Sequence, residues 1–244
     1  MLWLGSLGAD VRFAFTSRLG GFSTPPYDSL NLSFNVGDDP VVVRRNRRDV
    51  LQRLGVSRAA WLQAQHGALV RVVEGVLVDD APEQQTGYEA DGLVTAATDI
   101  ALGALSADCA LVVLADPIAG VVGSLHCGRP GLMAGAVDAM VTALRTNGAQ
   151  QLCAAVGPTV CGSCYEVPAE MAAGVVAVVP AAFSRARSGR AGLDVRAGVI
   201  DQLQGAGVRV VRLVGGCTRE DPTTFSSRRD HVTGRMGALI WRAA

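Results

Sequence analysis

Two imidazoles and one thiol are the side chains of this sequence best suited to chemistry. His66 and His126 are two of only three histidines, and Cys109 stands in the run Ala107-Asp108-Cys109. Two imidazoles and a thiolate can bind Zn²⁺ and leave one coordination position open, which distinguishes a catalytic zinc from a structural one. Histidine and cysteine are also common as buried core residues, so the spacing alone leaves both interpretations open.

Two further groups next to these residues suit proton transfer and anion binding. Asp108 adjoins Cys109, where it can orient a ligand or take a proton, although a turn residue is the alternative. Arg129 lies in Gly128-Arg129-Pro130-Gly131, ahead of a predicted helix. Backbone amides at a helix N-terminus and an arginine together can bind phosphate, but such loops are often only turns.

Arginines in two other loops are candidates for the same role. Arg18 follows the first predicted strand in a glycine-rich turn, and Arg228 and Arg229 follow serine hydroxyls in a predicted loop at 225–230. Each loop suits an oxyanion, and each is also consistent with a solvated charged turn. The arginines between 44 and 53 are predicted to lie mostly on a solvated helix face, without the aromatic residues of a nucleic-acid surface.

The remaining cysteines and the third histidine are predicted to lie outside the site. Cys161 and Cys164 form a C-x-x-C motif after a strand, but no second C-x-x-C completes a zinc ribbon, so both are interpreted as structural. His231 is predicted at a hairpin tip. We expect a reducing cytoplasm, in which the six cysteines are thiols or ligands.

The elements that must position these residues alternate between strands and helices. Apolar runs predict strands at 11–15, 70–73, 100–105, 111–115, 121–125, 152–156, 208–214 and 235–241. Helical spacing predicts helices from Pro40 to a cap at Gly55, and at 131–144, 168–178 and 194–204. This order predicts the α/β or α+β class, and the continuous apolar runs predict strands covered on both faces.

Composition excludes several classes of function. The 244 residues are 49% hydrophobic, have a formal net charge of zero and include no lysine. A lysine Schiff base or lysine general base is therefore excluded. The neutral charge argues against nucleic-acid and membrane partners. No signal-like N-terminal segment precedes the first strand, and charged residues and proline interrupt the apolar runs too soon to span a bilayer.

Taken in order, the motifs resemble the YfiH/YlmD family of laccase-domain proteins. This family is also called the multicopper polyphenol oxidase or purine nucleoside phosphorylase family. The matching stretches run through almost the whole chain: 16–21, 27–32, 65–67, 90–92, 107–109, 126–131, 157–158, 164–167 and 225–235.

The resemblance implies a single catalytic domain over 1–244, built as a four-layer α/β/β/α sandwich related to that of bacterial toxin deamidases. It implies that His66, Cys109 and His126 are the zinc ligands and the centre of catalysis. Asp108, from its place beside Cys109, is predicted as a further catalytic residue. It also implies phosphorolysis of adenosine, guanosine or inosine, cleavage of methylthioadenosine, and deamination of adenosine. The residues predicted to bind these substrates or phosphate are Arg18, Asn31, Gln65, Arg129, Arg228 and Arg229.

The chain departs from the family pattern beside His126. Many members have His-Ala-Gly-Trp-Arg-Gly where this chain has His126-Cys127-Gly128-Arg129-Pro130-Gly131. Metal binding should survive, whereas the shifted Arg129 puts its contact with an anion in doubt. Cys127 is an additional thiol and is interpreted as a liability to oxidation.

Other functions stay open at this point. Cys109 with His66 or His126 can form the nucleophile and base of a cysteine hydrolase, including an amidase that edits peptidoglycan precursors. A non-catalytic zinc-binding interaction module is a further alternative. Three histidines cannot supply the several centres of a multicopper oxidase, so zinc is predicted in preference to copper. An open zinc position explains deamination more directly than phosphorolysis.

Overall fold

Two six-stranded sheets lie face to face, and each has helices on its outer surface. The computed structural model of the chain describes residues 2–74, 87–98 and 100–243. The strands are β1 (Leu2–Ser6), β2 (Val11–Thr16), β3 (Arg58–Gln63), β4 (Val70–Val72), β5 (Tyr88–Glu89), β6 (Gly92–Thr95), β7 (Ile100–Ser106), β8 (Ala110–Asp116), β9 (Val121–Cys127), β10 (Cys153–Val156), β11 (Phe183–Arg185), β12 (Ala191–Leu193), β13 (Arg209–Leu213) and β14 (Met236–Arg242). The α-helices are α1 (Pro40–Leu54), α2 (Arg129–Met133), α3 (Ala136–Thr146), α4 (Ala169–Val178), α5 (Val195–Gly205) and α6 (Ser227–Asp230).

The strand order places the last strand in the interior of a sheet. The first sheet has the order β1-β2-β14-β7-β3-β5, and the second has the order β13-β10-β8-β9-β6-β4. Strands β7, β8 and β9 are almost entirely buried, which confirms that their continuous apolar runs are covered on both faces.

Three hydrophobic clusters separate the four layers. The cluster between the sheets includes Phe13 and Phe15 from the first and Val113 from the second. Val50 of α1 packs with side chains on the outer face of the first sheet. Met140 of α3 packs in the cluster that covers the second sheet. The predicted four-layer α/β/β/α sandwich is confirmed.

Helix α1 begins and ends where its sequence predicts, but one face differs from the prediction. The Asp39 carboxylate accepts a hydrogen bond from the Val41 N–H at 2.8 Å, and Gly55 ends the helix with a φ of 69°. Arg47 was predicted among the mostly solvated arginines, and for this residue the prediction is wrong. It is only 5% exposed and lies on the buried face with Val43.

The helix predicted at 131–144 is two helices. Gly135 has a φ of 79°, a left-handed conformation that favours glycine and interrupts the helix between α2 and α3. The hairpin tip predicted at His231 is also wrong, because His231 follows α6 as an exposed residue with a φ of 59°.

Asp116 joins the end of β8 to a distant loop. Its buried carboxylate accepts hydrogen bonds from the backbone N–H groups of Ile118, Ala119, Gln150 and Gln151, at 2.7–3.0 Å. Burial raises the pKa of Asp116, but the four donors outweigh burial and hold the pKa below its ordinary value.

The helices of the described ranges include none that is long and apolar enough to cross a bilayer.

Candidate active site

The three predicted metal ligands converge from three separate segments. His126 lies near the end of β9, Cys109 in the turn between β7 and β8, and His66 in the loop between β3 and β4. One ligand atom from each lies within 4.8 Å of the others. The two imidazole rings meet edge to face, with centroids 4.8 Å apart. The structure therefore brings together the two imidazoles and the thiol that the sequence singled out.

A buried carboxylate holds two of these segments in place. Oδ1 of Asp91 accepts hydrogen bonds from the backbone N–H groups of His66 at 2.8 Å and Gln65 at 3.2 Å, and Oδ2 accepts from Gly67 at 2.8 Å. The same Oδ1 lies 3.2 Å from Nδ1 of His126. This contact occupies Nδ1 and leaves Nε2 available to a metal, as carboxylates do behind zinc-binding histidines.

Asp91 was not identified as a functional residue from the sequence. The run Ala90-Asp91-Gly92 entered only as one of the family motifs. A lone aspartate at the start of an apolar strand was the available signal, because a buried carboxylate needs several hydrogen-bond donors around it.

The charges of the site favour a thiolate. Burial raises the pKa of Cys109, but hydrogen bonds from His126 and His66 and their positive charge outweigh burial and lower it to about 6. Burial lowers the pKa of His126, but the Asp91 carboxylate and the Cys109 sulfur outweigh it and raise the pKa to about 9. Metal binding and nucleophilic catalysis both require a thiolate.

Backbone conformation at two site residues is strained. His66 has a φ of 59° and Asp108 a φ of 105°, values that side chains other than glycine rarely adopt. Asp91 holds the first through backbone hydrogen bonds. Asp108 is held through its own carboxylate, which accepts hydrogen bonds from the Thr218 hydroxyl at 2.5 Å and from the Arg228 backbone N–H at 2.7 Å. Hydrogen bonds with other parts of the chain therefore hold both residues in these conformations.

The missing side chain of Gly128 leaves space for the side chains of Cys109 and His66. A Cβ atom there would lie 2.9 Å from Sγ of Cys109 and 3.3 Å from Cδ2 of His66. The neighbouring Cys127 is fully buried, and burial raises the pKa of its thiol. A buried neutral thiol reacts poorly, so the interpretation of Cys127 as a liability to oxidation is wrong.

The convergent residues line a cavity of about 480 Å³. Its wall is rich in arginine and includes two aromatic rings: Arg47, Arg129, Arg228, Arg235, Phe34 and Tyr165. The cavity also contains Asp108, next to Cys109. A cavity of this size is large enough for a ligand with several rings.

Two of the cavity arginines, Arg47 and Arg235, were not predicted. The Arg47 guanidinium lies over the rings of Phe34 and Trp61, 4.5 and 4.4 Å from their centroids. Its position four residues after Val43 places it on the apolar face of α1, a signal that the sequence did contain. Arg235 donates to the backbone just before β14.

Two predicted anion-binding residues do line the cavity. The Arg228 guanidinium lies 4.7 Å from the centroid of the Tyr165 ring. Arg129 is the first residue of α2, directly after Gly128. In the ranges that the structure describes, neither guanidinium has a hydrogen bond or an ion pair with the protein. Both are therefore available to an anion.

Arg18 and Arg229 are engaged by the protein itself. Arg18 forms ion pairs with Asp28 at 3.0 Å and Asp230 at 3.7 Å. It is not among the described residues that line the cavity. Arg229, predicted in a loop, lies in the short helix α6. Its guanidinium donates to the carbonyl groups of Thr218 and Thr224, among others, and pairs with Asp230. Their assignment to phosphate stays a prediction.

Asn31 and Gln65 are likewise outside the described cavity wall. The buried Asn31 amide donates to the Asp38 carboxylate and accepts from the Arg235 N–H, at 2.9 Å each. The exposed Gln65 side chain donates to the carbonyl of Gln63 at 3.0 Å. Their predicted role in substrate binding is untested.

Comparisons with known proteins find similarity over almost the whole chain. A family model described as multi-copper polyphenol oxidoreductase laccase matches residues 12–243. The chain is 46% identical over 235 residues to a purine nucleoside phosphorylase of Streptomyces coelicolor, with 95% of each chain covered. It is 39% identical over 241 residues to a purine nucleoside phosphorylase of Mycobacterium tuberculosis, which covers 97% of this chain and 94% of the relative.

Solved structures have the same fold. YlmD of Geobacillus stearothermophilus has a TM-score of 0.86 at 29% identity, and the match covers 97% of this chain and 93% of the other. A protein of Neisseria meningitidis has a TM-score of 0.84 at 31% identity, with 100% and 99% covered. These similarities confirm the resemblance that the ordered motifs predict.

Proposed function

The chain belongs to the multi-copper polyphenol oxidoreductase laccase family, and on that premise we propose that it is a zinc-dependent purine nucleoside phosphorylase. Its proposed substrates are phosphate and adenosine, guanosine, inosine or methylthioadenosine, with deamination of adenosine in the same cavity. The relatives named purine nucleoside phosphorylase support the reaction class. One observation carries the proposal: three side chains that could hold a metal line the same cavity as Arg129 and Arg228, whose guanidinium groups have no hydrogen bond or ion pair within the described residues.

The donor set fits zinc. His66, Cys109 and His126 supply two nitrogen ligands and one sulfur ligand, and Asp91 orients the His126 ring from behind. The absence of a Cβ at Gly128 leaves room beside the sulfur. When bound, zinc would supply a Lewis acid that can bring the pKa of water to about 7. Copper accepts the same donors, so the metal has to be identified by analysis.

Phosphorolysis requires a bound phosphate and a held nucleoside. The reaction forms a bond from a phosphate oxygen to C1′ of the ribose and breaks the bond from C1′ to N9 of the purine. Arg228 and Arg129 would bind phosphate, because their guanidinium groups face the cavity and suit two oxygen atoms at once. Tyr165 and Phe34, whose rings also contact Arg228 and Arg47, line the same cavity and would contact the base.

Asp108 lines the cavity and would also position the loop beside it. Each of its carboxylate oxygens accepts a hydrogen bond, one from Thr218 and one from the backbone of Arg228. Asp108 would therefore fix the loop that carries Arg228 beside Cys109. A role for its carboxyl group as a proton donor to the departing purine remains part of the proposal.

Deamination of adenosine replaces the amino group at C6 with the oxygen of a water molecule, which gives inosine and releases ammonia. The three donors of the triad support this second reaction, since they leave a coordination position open. Binding the base at the same aromatic faces would let one cavity serve both reactions.

A cysteine hydrolase is a second candidate, and one observation favours it. Cys109 lies within reach of two imidazoles, and these hold its pKa at about 6. A thiolate in that setting is a competent nucleophile toward an amide, including that of a peptidoglycan precursor. Such an enzyme would work without metal, whereas the phosphorylase would lose activity with its zinc.

The direct test is incubation with a panel of nucleosides, with and without phosphate, and identification of the products by mass. We expect free purine and ribose 1-phosphate only when phosphate is present, and inosine from adenosine in either case. Cys109→Ala should abolish both reactions, whereas Cys153→Ala, at a buried thiol outside the site, should retain them. Normal turnover by Cys109→Ala would refute the assignment.

Two neighbouring arginines provide a matched test of phosphate binding. Arg228→Ala should raise the KM for phosphate at least about tenfold, because one bidentate contact contributes roughly 1.5–3 kcal/mol. Arg229→Ala should instead lower stability, because its guanidinium binds backbone carbonyls. Activity that survives exhaustive chelation and needs no phosphate would favour the hydrolase.

A further inference from the structure

A second group of side chains of the types that bind metals lies outside the cavity wall. Cys161, Cys164, Cys217 and Glu220 each place one sulfur or carboxylate oxygen within 4.8 Å of the others. The sequence identified only the first two, as a C-x-x-C without a partner motif. The fold supplies the partner as Cys217-x-x-Glu220. Four protein donors close a zinc site, whereas the three donors of the cavity leave one position open.

The two donor pairs lie on matching turns. The Cys164 N–H donates to the carbonyl of Cys161 at 3.0 Å, and the Glu220 N–H donates to the carbonyl of Cys217 at 3.2 Å. A parallel bridge between Thr159 and Cys217 places the turns side by side. Two turns that each offer ligands at positions one and four are the usual frame of a structural zinc site.

The sulfur atoms lie close to one another and to the other members of the cluster. The Cys161 N–H donates to Sγ of Cys217 at 3.3 Å, and Sγ of Cys164 lies 3.5 Å from a carboxylate oxygen of Glu220. Zinc–sulfur bonds of about 2.3 Å require donor atoms roughly 4 Å apart. Small rotations of these side chains would therefore bring all four donors to one ion.

Positive charge next to the cluster offsets its negative charge. Three thiolates and a carboxylate around Zn²⁺ leave a net charge of −2. Arg187 forms an ion pair with Glu220, and Arg219 donates to the carbonyl of Cys164 at 3.4 Å. Two guanidinium groups so placed would balance that charge.

We propose that Cys161, Cys164, Cys217 and Glu220 bind a second zinc ion whose role is structural. The ion would fasten the turn at 161–165 to the turn at 217–221. Both turns reach the cavity, since Tyr165 lines it and Thr218 donates a hydrogen bond to Asp108. The second zinc would thus brace the wall that carries the candidate phosphate-binding residues without contacting substrate.

The test is the zinc content of the purified full-length chain, measured by elemental mass spectrometry. We expect two zinc ions per chain in the wild type, one in His126→Ala, one in Cys217→Ser and none in the double variant. The matched control is Cys153→Ala, a buried cysteine outside both clusters, which should retain two. Zinc that survives His126→Ala and is lost in Cys217→Ser supports the second site even if the cavity holds no metal.

Cobalt substitution gives a second readout that does not depend on activity. Cobalt in His126→Ala should show the intense charge-transfer band of several thiolates, whereas cobalt in Cys217→Ser should show the weaker band of one. If Cys217→Ser does not fold, Glu220→Gln at an exposed ligand should weaken the second zinc about tenfold or more.

Two results would overturn the proposal. One is a wild-type chain whose only zinc is lost in His126→Ala. The other is a disulfide between two of Cys161, Cys164 and Cys217, detected as four rather than six thiols in the denatured, metal-free protein and located by peptide mapping.

Discussion

Asp91→Asn separates the two tasks of the carboxylate behind the metal ligands. The substitution keeps the size of the side chain and one acceptor oxygen. That oxygen can still accept from the N–H groups of His66 and Gln65, which bond to Oδ1 in the wild type. The new amide group then faces the Gly67 N–H, which bonds to Oδ2 at 2.8 Å. Two donors would oppose each other in a fully buried position.

The magnitude follows from these contacts. Losing one charge-assisted hydrogen bond costs about 1.5–3 kcal/mol, and leaving a buried donor unpaired costs about 1–3 kcal/mol. Because the protein relaxes, we expect the free energy of unfolding to fall by about 3 kcal/mol. Loss of the charge next to Nδ1 of His126 should separately weaken zinc binding by roughly 10–100-fold. Denaturant unfolding of the metal-free protein measures the first effect, and competition with a chelator measures the second.

Asp116→Asn is the matched control. It removes a buried carboxylate that also accepts several backbone N–H groups, but at the far end of β8. We expect a similar loss of stability with unchanged zinc affinity. If Asp91→Asn loses stability and still binds zinc as the wild type does, Asp91 supports only the fold and the reasoning is refuted.

Two further predictions concern glycine and acid. Gly128→Ala should lower the affinity for zinc about tenfold or more, because the new Cβ would collide with Cys109 and His66; competition with a chelator measures this. Gly174→Ala is the control, because it lies in α4 with open space around it and should stabilise the protein by about 0.5–1 kcal/mol in thermal unfolding. The pKa of Asp116 lies below its ordinary value, so its stabilising contribution is present above the unfolded-state pKa of about 3.9 and is lost as the pH falls through the folded-state pKa. Stability of Asp116→Asn should therefore depend less on pH below about 4; an acid titration as steep as that of the wild type would contradict this.

Local sequence signals predicted most of the elements. Apolar runs placed β7, β8 and β9 to within two residues, because strands buried on both faces contain little else. Gly135 could not be anticipated as a break between α2 and α3, since the residues around it keep helical spacing and only its backbone conformation ends the helix. Arg47 was predicted on the solvated face because of its charge, although its spacing from Val43 places it on the apolar face of α1.

The site was predicted by residue type and by resemblance rather than by spacing. His66, Cys109 and His126 lie on separate segments, and only the pairing of the strands brings them together. Asp91 was missed because its hydrogen bonds are with residues remote in sequence. Arg235 was missed because the pairing of β14, rather than a local pattern, brings it to the cavity. Cys217 and Glu220 were missed because only the fold brings them next to Cys161 and Cys164.

The position of β14 has a consequence for synthesis. Residues 236–242 form the strand between β2 and β7, yet both of those strands leave the ribosome long before it. Until β14 arrives, each neighbour presents a row of unpaired backbone groups to other nascent chains. The first sheet must therefore complete late, and a pause in translation shortly before residue 236 would prolong the stage at which the growing chain is most prone to aggregate.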